Sequence, residues 1–152
     1  LEAGTWHLRD SKNSAERYVQ LPTQAVEFLR QLKLTTDIYL FPSTRTKKPI
    51  QQKSLTETKW HLKNPEKVKY GRNYTPAQLW LGSMPDWSPH DLRRTVRTGL
   101  ARMGCPSEVA EAVLGHSRKG IEGTYDLHSY EAECREWLQR WADHLLQLSS
   151  SG

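Results

Sequence analysis

The stretch "SPHDLRRTVR", residues 88 to 97, sets His90 three residues before Arg93. On a helix those two side chains share a face, and Arg97 continues it one turn on. A guanidinium presents a planar fork that matches phosphate oxygens, and a histidine donates a hydrogen bond or moves a proton near neutral pH. The start of a helix adds its own attraction for anions. Ser88 suits the N-cap, Pro89 the first helical position and Asp91 the positive end of the dipole. A phosphate site fits this pattern. A solvated basic face with a capping histidine fits it too, so the stretch alone does not decide.

Three further residues carry the same ambiguity. His116 follows Gly115, where a helix over 107–114 should stop, and a histidine there can simply complement the negative end of the dipole. Tyr125 comes nine residues later, beyond the glycine-punctuated "HSRKGIEG". A lone tyrosine usually packs; with an ordinary pKa of about 10, its oxygen becomes a nucleophile only beside a proton acceptor or strong positive potential. Lys12 sits in the polar stretch "RDSKNSA", where a lysine often serves solubility alone. Arg94, Arg118 and Lys119 add positive charge near these positions.

The elements that must position these residues are partly readable. "TWHL" and "ERYVQL" look like two short strands around "RDSKNSA", and Pro22 stops the second. Thr23 is then expected to cap a helix with Val26, Leu29 and Leu32 along one face. "DIYLFPS" reads as a short buried strand or extended segment. Residues 43–87 are rich in Lys, Thr and Pro, with helices expected near 50–63 and 75–82. Leu92, Val96 and Leu100 recur every four residues, and Gly104 can end their helix. A helix from Ser107 to Leu114 and a last one with the stripe Tyr130, Cys134, Trp137, Leu138, Trp141, Leu145 and Leu148 complete the chain. That stripe is core, or a face that docks on a partner. No internal repeat is present.

The bulk numbers set limits. A chain of 152 residues suits one domain, and six tryptophans supply large core pieces. Twenty-two Lys and Arg against seventeen Asp and Glu leave a charge of +5, which permits nucleic-acid binding without requiring it. Cys105 and Cys134 have no metal-ligand or disulfide spacing, which points to a reducing interior. No apolar run approaches the roughly 18 residues of a membrane span, and no signal peptide is visible.

Taken in order, a hairpin lysine, His-x-x-Arg, Leu-Gly-His and a tyrosine nine residues on resemble the tyrosine recombinase, or phage integrase, family. "SPHDLRRT", "EAVLGHS" and "GIEGTY" match its signature segments, and "RDSKNSAERYVQLP" looks like its β-hairpin. The resemblance covers most of residues 5–148, with 43–87 the poorest match. It implies a mainly α catalytic fold with a small antiparallel β-hairpin at one edge. It also implies DNA breaking and rejoining at attachment sites through a 3′-phosphotyrosyl link, in a phage, prophage or other mobile element. Tyr125 would be the nucleophile and Lys12 the general acid. Arg93, His90 and His116 would hold phosphate oxygens, and Arg94, Arg97, Arg118 and Lys119 would contact DNA. No metal, nucleotide or other cofactor is implied. The partners implied are double-stranded DNA and further copies of the chain, as a homo-tetramer joined through the C-terminal helix. The place implied is the cytoplasm of a bacterial host, away from membranes.

One feature departs from the family. Another catalytic arginine usually stands in a helical region before the hairpin, and here the hairpin begins at residue 5. Residues 1–148 are therefore expected to be a partial catalytic domain that does not act alone, and 149–152 a flexible tail. Three other readings remain at this point. A type IB topoisomerase resembles the same site. A helix-turn-helix module could contain "PSEVAEAVLGHSRKGIEG" but leaves Lys12 and Tyr125 unexplained. A catalytically silent interaction fragment fits the absent arginine and the tryptophan-rich last helix.

Overall fold

A computed structural model describes residues 4–8, 17–36, 38–43, 46–51, 53–64, 67, 80, 82–116 and 130–150. Within them the chain forms two strands and five helices. These are β1 (Thr5–Leu8), β2 (Arg17–Gln20), α1 (Thr23–Leu34), α2 (Ser54–Lys63), α3 (Pro89–Arg102), α4 (Ser107–Leu114) and α5 (Glu131–Ser150). The architecture is mainly α with one two-stranded antiparallel sheet, as the resemblance implies. Contacts divide the chain into one compact unit of residues 1–37 and 94–152 and another of residues 38–93.

The first unit holds the main core. Leu100, Cys105, Val109, Ala110 and Cys134 are buried together. Val96, Val113, Tyr130, Trp137 and Trp141 pack around them. Leu100 is fully buried, and enclosing a leucine contributes about 1.5–3 kcal/mol. Two helices feed this core through the same kind of stop. At the end of α3 the Cys105 N–H reaches the Leu100 carbonyl at 3.0 Å and the Gly104 N–H reaches Ala101 at 3.0 Å. Gly104 takes φ 85, which turns the chain towards α4 and satisfies two helix-end carbonyls.

The hairpin is tied to the last helix. β1 and β2 pair in the register Thr5↔Gln20 to Leu8↔Arg17, with His7 and Tyr18 stacked at 4.5 Å. Gln20 is buried, and a buried amide needs partners. Arg135 of α5 and Thr5 of β1 both donate to its Oε1. The start of α1 is fastened similarly: the Thr23 N–H donates to Gln139 Oε1 of α5 at 2.8 Å. The expected Thr23 cap is therefore corrected. Pro22 occupies the cap position without a side-chain bond, Thr23 is the first helical residue, and α5 satisfies its N–H.

α5 packs on its own chain. The Cys134 thiol lies 4.0 Å from the Val109 carbonyl, and Trp137 and Trp141 lie against the core. The outer end of the stripe stays exposed, with Leu145 at 45% and Leu148 at 59%, and Leu146, outside the stripe, is exposed at 51%. The helix also runs through Ser149 and Ser150, whose hydroxyls donate to the Leu146 carbonyl. It thus enters the stretch expected as a tail.

In the second unit α2 begins at Ser54. Of the two alternatives expected for this segment, the buried strand is not formed over the described residues 38–43. Ile38 is 86% exposed, and the segment makes one isolated bridge, Pro42↔Pro49. Proline has no N–H to continue a ladder, so the pairing stops at Ser43 to Lys48 (2.7 Å) and Ile50 to Phe41 (3.0 Å). Lys59 and Lys63 both reach Asp86 Oδ1, at 3.2 and 2.8 Å. The helix expected near 75–82 falls largely outside the described residues. Leu92, expected on the apolar stripe of α3, is 54% exposed, so burial on that helix begins at Val96.

Candidate active site

α3 opens with a reciprocal turn. The Ser88 N–H and hydroxyl donate to Asp91 Oδ2 at 2.9 and 2.8 Å, and the Asp91 N–H donates to the Ser88 carbonyl at 2.9 Å. This is one half of a capping box: the Asp91 carboxylate accepts the Ser88 N–H, while the Ser88 hydroxyl donates to that carboxylate, and the pair ties down the first turn of the helix. His90 and Arg93 stand on that turn, both exposed, with Arg94 beside them. Arg97 follows one turn later on the same helix.

Arg97 does not simply extend into solvent. Its Nε lies 2.7 Å from Glu111 Oε1 of α4, and its Nη2 lies 3.2 Å from Ser107 Oγ. The other carboxylate oxygen, Glu111 Oε2, lies 2.6 Å from His116 Nδ1. The structure therefore brings Arg97 and His116 together about one carboxylate. The hydrogen bond from His116, then that from Arg97, holds the Glu111 carboxyl below the ordinary glutamate range.

The backbone at His116 is fixed as well. Gly115 ends α4 in the left-handed region at φ 67. The His116 N–H then returns to the Glu111 carbonyl at 3.0 Å, and the Gly115 N–H to Ala112 at 2.9 Å. Arg17 of β2 lies across Gly115, with its Nη2 3.3 Å from the Val113 carbonyl. A side chain on Gly115 would occupy the space of that guanidinium. So one glycine serves the turn, the Arg17 contact and the placement of His116.

Glu111 is the residue that the sequence reading passed over. A signal for it exists: it lies in the last turn of a short helix, where an anion opposes the dipole. Such a charge needs cations nearby, and Arg97 and His116 supply them. Its link to Arg97 spans fourteen positions and depends on how α3 and α4 pack, which spacing does not give. Lys12, Arg118, Lys119 and Tyr125 lie outside the described residues.

The sequence model of the phage integrase family matches residues 1–132. The chain belongs to the phage integrase family. The matched span contains the hairpin, His90, Arg93, the Leu-Gly-His segment and Tyr125, and it ends just inside α5. Members of this family are tyrosine recombinases that bind DNA, recombining it at specific sites. Comparison with curated proteins and with solved structures gives no match. No helix among the described residues is long and apolar enough to cross a membrane.

Proposed function

We propose that this chain is the partial catalytic domain of a phage- or prophage-type integrase, which, with the further catalytic arginine supplied from outside residues 1–148, cuts and rejoins double-stranded DNA at attachment sites in the cytoplasm of a bacterial host. The Tyr125 oxygen attacks the scissile phosphorus. The bond from phosphorus to the 5′-oxygen breaks, and the departing 5′-oxygen takes a proton from Lys12. The 3′-phosphotyrosyl link keeps the phosphodiester energy, so a second 5′-hydroxyl can reverse the step without a metal or nucleotide. Arg93 holds the phosphate through its fork while negative charge gathers on the nonbridging oxygens. His90 and His116 donate to the same oxygens or carry the tyrosine proton. Arg94, Arg118 and Lys119 contact neighbouring phosphates.

The observation that carries this reading is the ordered set His90, Arg93, Leu-Gly-His and Tyr125, lying wholly within the span matched by the family. The hydrogen-bonded start of α3 supports it, because it holds His90 and Arg93 on one turn. Assembly into a tetramer through the end of α5 belongs to the same proposal, and exposed Leu145, Leu146 and Leu148 are suited to it.

The test needs no knowledge of the target site. Cells carrying the gene in its native context are lysed in detergent, and protein-linked DNA is precipitated as the potassium dodecyl sulfate salt. Wild type should bring down DNA through a phosphotyrosyl bond, and Tyr125→Phe should not. If the Phe variant still retains DNA, another nucleophile carries the reaction, with Tyr130 the first to examine. Linked DNA that relaxes supercoils but never exchanges strands would instead indicate a topoisomerase.

A further inference from the structure

We infer that Glu111 is a positioning residue for His116, holding its ring in the Nδ1–H tautomer so that Nε2 is the nitrogen offered to DNA. The inference rests on the reading of His116 as a phosphate-site residue, and extends it to a residue and a proton state.

The argument starts from the carboxylate. Glu111 touches Arg97 with one oxygen at 2.7 Å and His116 Nδ1 with the other at 2.6 Å. An ionised carboxylate only accepts hydrogen bonds, so the nitrogen that faces it must carry the proton. Nε2 of the neutral ring is then an acceptor, able to take the proton of an attacking tyrosine. In the charged ring it is a donor to a phosphate oxygen. Either role suits phosphotransfer, and both need the ring turned with Nδ1 inward.

The surroundings fix this arrangement from three sides. Arg97 anchors the carboxylate and is itself held by Ser107 Oγ at 3.2 Å. The His116 N–H bonds to the Glu111 carbonyl at 3.0 Å, so backbone and side chain of Glu111 both hold the same residue. Gly115, at φ 67, sets the direction in which the chain leaves α4. Arg97 thereby acts on the site through Glu111. A carboxylate that orients a reactive histidine by its Nδ1–H is a recurrent arrangement, since it selects tautomer and ring angle together.

The experiment has two arms. Nitrogen-15 spectra of the histidine rings are recorded above the ring's titration, with His116→Gln identifying the resonances of His116. Wild type should show His116 with the proton on Nδ1. Glu111→Ala should move it to Nε2, the tautomer preferred by free histidine. Wild-type His116 protonated on Nε2, or a tautomer unchanged in Glu111→Ala, overturns the inference. Glu111→Gln, closer in shape, gives the same test if the alanine variant unfolds: its amide can donate to Nδ1, so a mixed or Nε2–H state is expected.

The second arm measures the rate of phosphotyrosyl adduct formation and, separately, DNA affinity. Glu111→Ala should lower the rate about tenfold to a hundredfold without weakening DNA affinity, since it removes a negative charge beside two basic residues. In a His116→Gln background it should have no further effect, because the two residues act as one unit. A loss of rate that adds to that of His116→Gln overturns the coupling. If His116→Gln leaves the rate unaltered, the placement of His116 in the active site fails, whereas the tautomer result reads the Glu111 contact by itself.

Discussion

Gly99 of α3 lies flat against the indole of Trp141 on α5, and a Cβ added to Gly99 would overlap the six-membered ring. Glycine within a helix costs about 0.5–1 kcal/mol relative to alanine. The Trp141 ring, lying where a side chain at 99 would stand, explains why glycine is found there. Gly99→Ala should therefore destabilise the protein despite its better helix propensity, by about 1–3 kcal/mol from overpacking. Gly104 is the contrast: a Cβ there meets nothing within 4 Å, but φ is 85. Gly104→Ala should cost about 1 kcal/mol through backbone strain alone. Urea unfolding of both variants checks this. A stabilised Gly99→Ala would mean that the Trp141 ring does not rest against Gly99.

Gly115 combines both effects. Its left-handed φ of 67 disfavours any side chain, and the Arg17 guanidinium fills the place a Cβ would need. Gly115→Ala should lose more stability than Gly104→Ala, because Arg17 must also move. Replacing Arg17 with alanine in the same chain should recover part of that loss. If the double variant is no more stable than Gly115→Ala, the steric contact contributes nothing and strain is the whole effect.

Much of this fold was legible because local rules and tertiary packing agree. The glycine at 104, the bond of the Ser88 N–H to Asp91 at the start of α3 and the stop of α4 at Gly115 all follow from short-range rules. The failures come where partners lie far along the chain. Thr23 has the type of a cap, but its N–H is satisfied by Gln139, 116 positions away. "DIYLFPS" has the composition of a buried strand, but over 38–43 it makes an isolated bridge, Pro42↔Pro49, that proline cannot extend into a ladder, and Ile38 is exposed. Among the candidate site residues, His90, Arg93 and His116 were visible as residue types. Glu111 was not, because its meaning depends on α3 and α4 meeting.

The two cysteines should be slow to react. Burial pushes the Cys134 thiol up to about 11, and desolvation raises Cys105 as well. The thiolate is the attacking form, so a raised pKa lowers the reactive fraction at any pH below it. Alkylation by iodoacetamide at mildly alkaline pH should be slow in the folded protein and rapid at both positions in urea. Fast labelling of Cys134 without denaturant would show that α5 separates readily from α4.

Acid should weaken the Arg97–Glu111–His116 group in a definite direction. Glu111 is depressed in the folded state, so its contribution is present above the ordinary glutamate value of 4.5 and is lost as pH falls through the folded value. Stability measured by urea unfolding should fall more steeply on acidification in wild type than in Glu111→Gln, which has no proton to take up there. Parallel pH profiles would mean that the carboxylate is no better placed in the folded chain than in the unfolded one.

DNA affinity and DNA cleavage should separate at Arg93. A net charge of +5 gives modest attraction to a polyanion, so binding should weaken as salt rises, with a slope of about −0.9 for each phosphate neutralised. Arg94→Ala should reduce that slope by about one, because it removes one charge at the start of α3. Arg93→Lys keeps the charge but replaces a two-pronged planar donor with a point charge. Its salt slope should stay close to that of wild type, while adduct formation falls by tenfold or more, about 1.4 kcal/mol of transition-state stabilisation. The contrast holds because counterion release depends on charge alone, whereas the developing phosphate charge needs two aligned N–H donors. Filter binding over a salt series and a timed adduct assay read the two quantities separately. An Arg93→Lys variant that formed adduct at the wild-type rate would remove Arg93 from the phosphate site and leave it as one more surface cation on α3.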